Sequence, residues 1–259
     1  MPTLELAGWK ATFQETGVGL PLVFIPGLTE YKESFLFQFS GLRDKYRVIS
    51  YDVRAGDNPD VLALAEDLGK LLDGLRLPSA VIAGHSFGGL IAQQFAQLHP
   101  DRTTALVLMS TFAKAPDTKQ GKLLRYMSSA HIGEEEGVVA GLKRMLGLAQ
   151  TVVSNDEDDH FGWVAKQAAK TTSATVGERI RAIRQFDSRP WLEQVWVPLL
   201  VLVGQNDRPP FLSAAQMIQR GTPDSIVEVI EDAAHFPHIE RHDLVNSYID
   251  DFIGSRLMS

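Results

Sequence analysis

The chain has 259 residues, 44% of them apolar, a formal charge of −7 and no cysteine. That length and apolar share suit one α/β domain carrying an insertion; 32 acidic against 25 basic residues argue against a nucleic-acid partner, whose phosphates require surplus lysine and arginine. Without cysteine, disulfides, thiolate nucleophiles and thiolate metal sites are excluded.

Met1 to Glu5 lacks the basic segment and apolar stretch of a signal peptide, and the longest apolar runs, such as Val197 to Val203, are far short of a membrane span. A cytoplasmic protein with no membrane partner is the expectation. Leu4 to Glu15 mixes apolar and polar residues around Gly8 and ends in Gly17-Val18-Gly19, which predicts two antiparallel edge strands. Pro21 to Ile25 and Arg47 to Tyr51 are apolar without alternation, the pattern of strands covered on both faces. Between them Ser34 to Leu42 reads as a short helix, and Val61, Leu64, Leu68, Leu71, Leu72 and Leu75 give the next helix its apolar stripe.

A strand at Ala80 to Ala83, a helix from Leu90 and a strand at Thr104 to Met109 continue the alternation, which argues for a mostly parallel sheet with helices on both faces. From Ala113 to Pro190 the pattern becomes helical only, so residues 1–112 and 191–259 are read as the α/β core and 113–190 as an inserted all-helical cap. The rhythm resumes with a strand at Pro198 to Val203, a helix near Phe211 to Arg220, a strand at Ser225 to Ile230 and a last helix from Asp243.

Gly84-His85-Ser86-Phe87-Gly88-Gly89 joins the Ala80 strand to the Leu90 helix, so its G-x-S-x-G sits on a sharp strand-to-helix turn. Such a turn strains the serine backbone and exposes Ser86 Oγ above the sheet, marking Ser86 as a candidate nucleophile. A serine nucleophile needs a base and a third group that fixes the base's tautomer. The turns after the last two strands offer Asp207 and His235. Asp117 and Asp232 are the alternative acids, and His238 and His242 the competing histidines, better suited to packing or the surface. His85 adjoins the serine and points away from it, so support of the elbow is its expected role.

Ser86, Asp207 and His235, in the order serine, acid, histidine, resemble the α/β-hydrolase family, and the resemblance covers nearly the whole length. The Asp52-Val53-Arg54 turn and the segment His235 to Glu240 resemble further parts of its pattern. The resemblance implies the α/β-hydrolase fold and an oxyanion hole made by the backbone N–H groups of Leu28 and Phe87. The chain departs from many members in carrying Pro26-Gly27 where they have His-Gly, so the loop must be held without that imidazole. It also implies a hydrolase of esters or lactones, similar to carboxylesterases and enol-lactonases, with a small-molecule acyl substrate and neither cofactor nor metal. Carbon-carbon bond hydrolases, cofactor-free perhydrolases or haloperoxidases, acyltransferases and a hydrolase-like receptor of little turnover share the same elbow. A serine nucleophile disfavours the aspartate-based haloalkane dehalogenases and epoxide hydrolases. Phe112, Phe161, Trp163 and Phe236 are candidate substrate contacts, though cap aromatics are commonly core. Asp156 to His160 is read as an acidic helix start, and Lys114, Lys119, Lys122 and Arg125 as a solvated helix face.

Overall fold

The computed structural model describes residues 2–6, 8–115, 166, 168–207 and 209–257. Strands β1 (Thr3–Leu6), β2 (Trp9–Thr16), β3 (Leu20–Ile25), β4 (Tyr46–Tyr51), β5 (Ala80–His85), β6 (Thr103–Met109), β7 (Leu199–Gly204) and β8 (Ser225–Ile230) form one sheet in the order β1-β2-β4-β3-β5-β6-β7-β8. The β1/β2 and β2/β4 pairs are antiparallel, and the pairs from β4 to β8 are parallel. Helices α1 (Leu36–Leu42), α2 (Val61–Gly74), α3 (Phe87–Leu98), α4 (Ser173–Gln185), α5 (Pro209–Gly221), α6 (Pro237–Glu240) and α7 (His242–Leu257) connect or cover the strands. None of the described helices is long and apolar enough to cross a membrane.

The unalternating apolar strands have the cause the sequence implies. Val23, Ile25, Ile82, Leu106, Leu108 and Val201 face one core, shared with α2, α3, α4 and α5. Their neighbours Leu22, Phe24, Val81, Ala83, Val107 and Leu202 face a second core, shared with α1 and α7. Because side chains alternate along a strand, apolar cover on both faces requires apolar residues at every position. Two helix starts carry side-chain caps: Asp60 accepts from the Ala63 N–H at 2.8 Å, and Thr172 from the Thr175 N–H at 3.2 Å.

The parallel order places the carboxyl ends of β3, β5, β7 and β8 along one edge, where loops meet. The two described ends of the segment read as a cap meet at one point on that framework. The Ser188 N–H donates to Ala113 O at 2.9 Å, Lys114 pairs with Asp187 at 2.8 Å, and the Ser188 hydroxyl donates to Gln93 Oε1 at 2.7 Å. Most of residues 113–190, including Asp117, Lys119, Lys122, Arg125, Asp156 to His160, Phe161 and Trp163, lies outside the described residues. The described part includes α4, whose first turn is capped by Thr172.

Candidate active site

Ser86 sits between β5 and α3 at φ 50° and ψ −111°, a conformation costly for a residue with a Cβ. The strain is held by three bonds: the Ser86 N–H donates to Met109 O at 2.9 Å, while Ser86 O accepts from the Thr111 hydroxyl at 2.7 Å and the Gly89 N–H at 3.0 Å. Gly84 and Gly88 are required by close approach. A Cβ on Gly84 would meet the Gly88 carbonyl, and one on Gly88 the Ile25 carbonyl. The consequence is exposure of one side chain: from Ala80 to Gln93 every residue is buried except Ser86.

His235 and Asp207 reach the serine as their loops predict. His235 Nε2 lies 3.2 Å from Ser86 Oγ, and its Nδ1 lies 3.1 Å from Asp207 Oδ2 and 3.3 Å from Oδ1. Lacing of the two loops brings them together, since the Gln205 and Asn206 N–H groups each donate at 2.8 Å, to Ile230 O and Ala233 O. Asp232, the rival acid, is 79% exposed at its side chain and pairs with Arg241 at 3.7 Å instead. His242 is half-buried and stacks on Phe37 at 4.1 Å, a packing role. Asp52 receives bonds from Thr12 and Lys32, and Arg54 pairs with Asp67 at 2.6 Å, so the Asp-x-Arg turn ties β4 to its neighbours.

Phe112 and Phe236 are both buried beside the histidine loop. The Phe236 ring lies 5.3 Å from that of His235, and Phe112 reaches it through Phe211, 6.0 Å from Phe112 and 4.5 Å from His235. Phe211 was legible only as part of a helix. Nothing local marked it as the ring against the histidine.

The loop after β3 answers the question raised by Pro26. Glu30 reaches back so that the Gly27 N–H donates to its Oε2 at 2.5 Å, and the same oxygen faces His85 Nδ1 at 2.6 Å. Its other oxygen faces His238 Nε2 at 3.1 Å, and His85 Nε2 donates to the backbone carbonyl of His235 at 2.7 Å. Glu30, His85 and His238 are all buried, so the expected support role of His85 extends to His238, which is deeper than a surface histidine. Both ring nitrogens of His85 face oxygen atoms, an arrangement that suits an imidazolium paired with the Glu30 carboxylate. Burial alone would raise the Glu30 carboxyl, but the charges and hydrogen bonds of His85 and His238 outweigh it and hold it far below the carboxylate range. Burial likewise pulls His85 down, and the Glu30 carboxylate more than reverses that, leaving it raised. For His238, burial and the adjacent His85 charge prevail, and its value falls to about 4. The ligand atoms of these three residues lie within 4.8 Å of one another, a grouping of metal-binding types. His85 Nδ1 and His238 Nε2 both face Glu30, and an internal ion pair accounts for these contacts, while His238 Nδ1 is buried with no hydrogen-bond partner among the described residues.

This arrangement carries a pH signature. Unfolding returns His238 to its ordinary value near 6.5, so between pH 7 and pH 5 the unfolded chain takes up a proton that the folded cluster refuses. Stability contributed at this position is therefore lost as pH falls, by about 2 kcal/mol over that interval. Urea unfolding of the wild type and of His238→Gln at the two pH values is expected to show the wild type losing about that much more. Equal losses would mean that His238 is protonated in the folded protein.

Glu240 brackets the His235 loop from the other side. Its carboxylate accepts from the Ala234 N–H at 2.6 Å and the Phe236 N–H at 2.8 Å, the residues flanking His235. Arg179 on α4 is a further residue that sequence reasoning missed. It is buried, and its guanidinium donates to Leu28 O at 2.6 Å and Val53 O at 3.0 Å.

A mostly parallel sheet whose strand ends bring a serine on a strained turn, a histidine and an aspartate into one hydrogen-bonded line defines a hydrolase of the α/β type. The chain belongs to the alpha/beta hydrolase fold family, whose family model matches residues 21–242. It is similar to 3-oxoadipate enol-lactonase 2 of Acinetobacter baylyi, 25% identical over 244 residues that cover 88% of this chain and 86% of the relative. It is also similar to the pimeloyl-[acyl-carrier protein] methyl ester esterase of Neisseria meningitidis, 28% identical over 76% of this chain and 79% of the relative. Among solved structures, a thermophilic esterase from Thermogutta terrifontis, determined with malate bound, superposes with a TM-score of 0.84 at 25% identity. That match covers 98% of this chain and 99% of the other.

Proposed function

We propose that the protein hydrolyses a carboxylic ester or lactone through an acyl-enzyme on Ser86. The observation that carries this reading is the continuous line from Ser86 Oγ to His235 Nε2 at 3.2 Å and from His235 Nδ1 to Asp207 Oδ2 at 3.1 Å. His235 takes the hydroxyl proton as Ser86 attacks the carbonyl carbon, then returns it to the leaving alkoxide. Asp207 keeps the Nδ1 proton in place and stabilises the imidazolium. The acyl-enzyme is released when His235 deprotonates a water that attacks the same carbon, the bond from that carbon to Ser86 Oγ breaks, and His235 passes the proton back to Oγ.

Two backbone donors hold the oxyanion formed in both halves. Phe87 is the first residue of α3, so its N–H has no intrahelical acceptor and sits at the positive end of the helix. The Leu28 N–H has no acceptor among the described residues. Preorganised donors of this kind supply a large share of the rate in acyl transfer. The apolar frame of Phe112, Phe211 and Phe236 favours an uncharged acyl chain, and relatives named as a lactonase and a methyl ester esterase support an ester or lactone carbonyl.

The test is a panel of nitrophenyl esters of increasing acyl length together with several lactones. Turnover of at least one class is expected, with covalent labelling of Ser86 by a fluorophosphonate. No turnover on the panel and no labelling would sink the reading.

A further inference from the structure

A buried arginine needs a reason, because stripping water from a guanidinium is costly and an apolar residue of similar size commonly serves as well. Arg179 is 5% exposed and no carboxylate is hydrogen-bonded to it among the described residues. Its bonds go to main-chain carbonyls: Nη1 to Leu28 O at 2.6 Å, with Gly27 O at 3.5 Å, and Nη2 to Val53 O at 3.0 Å. The guanidinium also lies 5.9 Å from the centre of the Phe87 ring. One side chain therefore touches the two residues whose N–H groups are assigned to the oxyanion.

The direction of those bonds matters. In a trans peptide the C=O and the following N–H point in opposite directions. The carbonyl of the Gly27–Leu28 peptide accepts from the Glu30 N–H at 3.3 Å and lies at the 3.5 Å edge of hydrogen-bond reach of Arg179 Nη1, while the next carbonyl, that of Leu28, accepts the close Arg179 bond at 2.6 Å. With both carbonyls drawn to the Arg179 side, the Leu28 N–H between them is directed away from it. A peptide free to flip would present a carbonyl oxygen to the oxyanion in place of a donor.

We infer that Arg179 is a positioning residue for the oxyanion hole, reaching from α4 to lock the Gly27–Leu28 peptide in the orientation that offers the Leu28 N–H to the reacting carbonyl. The inference rests on the serine-hydrolase reading. With Glu30 holding the Gly27 N–H, it supplies the support that the Pro26 substitution withdraws from the loop.

The test compares wild type, Arg179→Met and Arg179→Lys on a nitrophenyl ester, with inhibition by an alkyl boronic acid as a mimic of the tetrahedral intermediate. Arg179→Met is expected to lower kcat by about 100-fold with KM within about threefold, and to weaken boronic acid binding by a similar factor. Arg179→Lys, a single point donor in place of a fork, is expected to recover part of both and to stay at least about fivefold below wild type. A merely structural arginine would change the melting temperature and leave the ratio of boronic acid affinity to KM unmoved. That result, or kcat within about threefold of wild type in Arg179→Met, overturns the inference. If Arg179→Met does not fold, Arg179→Lys decides, and wild-type values there overturn it equally. Fluorophosphonate labelling of wild-type Ser86 separates the two failures: labelled and active enzyme leaves only Arg179 in question, whereas absent labelling and turnover overturns both.

Discussion

Ser86→Ala is expected to lower ester turnover by on the order of 10⁴- to 10⁶-fold, to or near the background rate, while changing the unfolding free energy by less than about 1 kcal/mol. The loss is large because the substitution removes the atom proposed to form the acyl-enzyme. His235 Nε2 then has no hydroxyl 3.2 Å away to deprotonate, and direct attack by water must proceed without a covalent intermediate. Stability is spared because the half-exposed hydroxyl is absent from the bonds that hold the elbow, which use the Ser86 N–H and C=O. The measurement is steady-state turnover beside thermal melts of the same preparation. Combining Ser86→Ala with His235→Ala is expected to cost little more than either alone, because the two act as one unit. Ester turnover within tenfold of wild type in Ser86→Ala would remove the serine from the reaction.

Glu30→Ala has the largest expected effect on stability, a loss of about 3–5 kcal/mol. Removing this carboxylate leaves three donors without their acceptor: the Gly27 N–H, His85 Nδ1 and His238 Nε2. It also leaves the His85 imidazolium buried without a counter-charge, and shedding its proton does not help, because a neutral ring forfeits a donor facing either Glu30's former site or the His235 carbonyl. In a chain of this size such a loss lowers the melting temperature by roughly 10 °C. Urea unfolding at pH 7 checks the value. A loss below about 1 kcal/mol would show that the cluster relaxes into a neutral network and would overturn the ion-pair reading.

The functional elements legible in the chain are those announced by short-range signals. Ser86 stands out because a glycine-flanked serine between an apolar run and a helical stripe has few other physical meanings. Asp207 and His235 follow because each lies in a turn after a buried strand, and parallel strands bring such turns to one edge whatever the loop details. Burial on both sheet faces was likewise readable, since it leaves an apolar residue at every strand position, as in Val201-Leu202-Val203. Segments with strong period or strong turn chemistry need no knowledge of their neighbours.

Glu30, His238, Glu240, Phe211 and Arg179 carry no such signal. Glu30 reads as one polar residue in a loop, yet its partners lie 55 residues away at His85 and 208 away at His238. Arg179 belongs to an amphipathic helix in which a surface position is the ordinary fate of an arginine. It meets Leu28 across 151 residues only because α4 packs behind the β3 loop. Whether such a group is ionised, buried and useful depends on partners supplied by distant segments, since desolvation and compensating charge are properties of the packed site and not of the residue. The strained serine, the aspartate and the histidine that meet at the sheet edge are thus recoverable from chain order, while the contacts that hold the His235 loop and the Gly27–Leu28 loop were decided by packing alone.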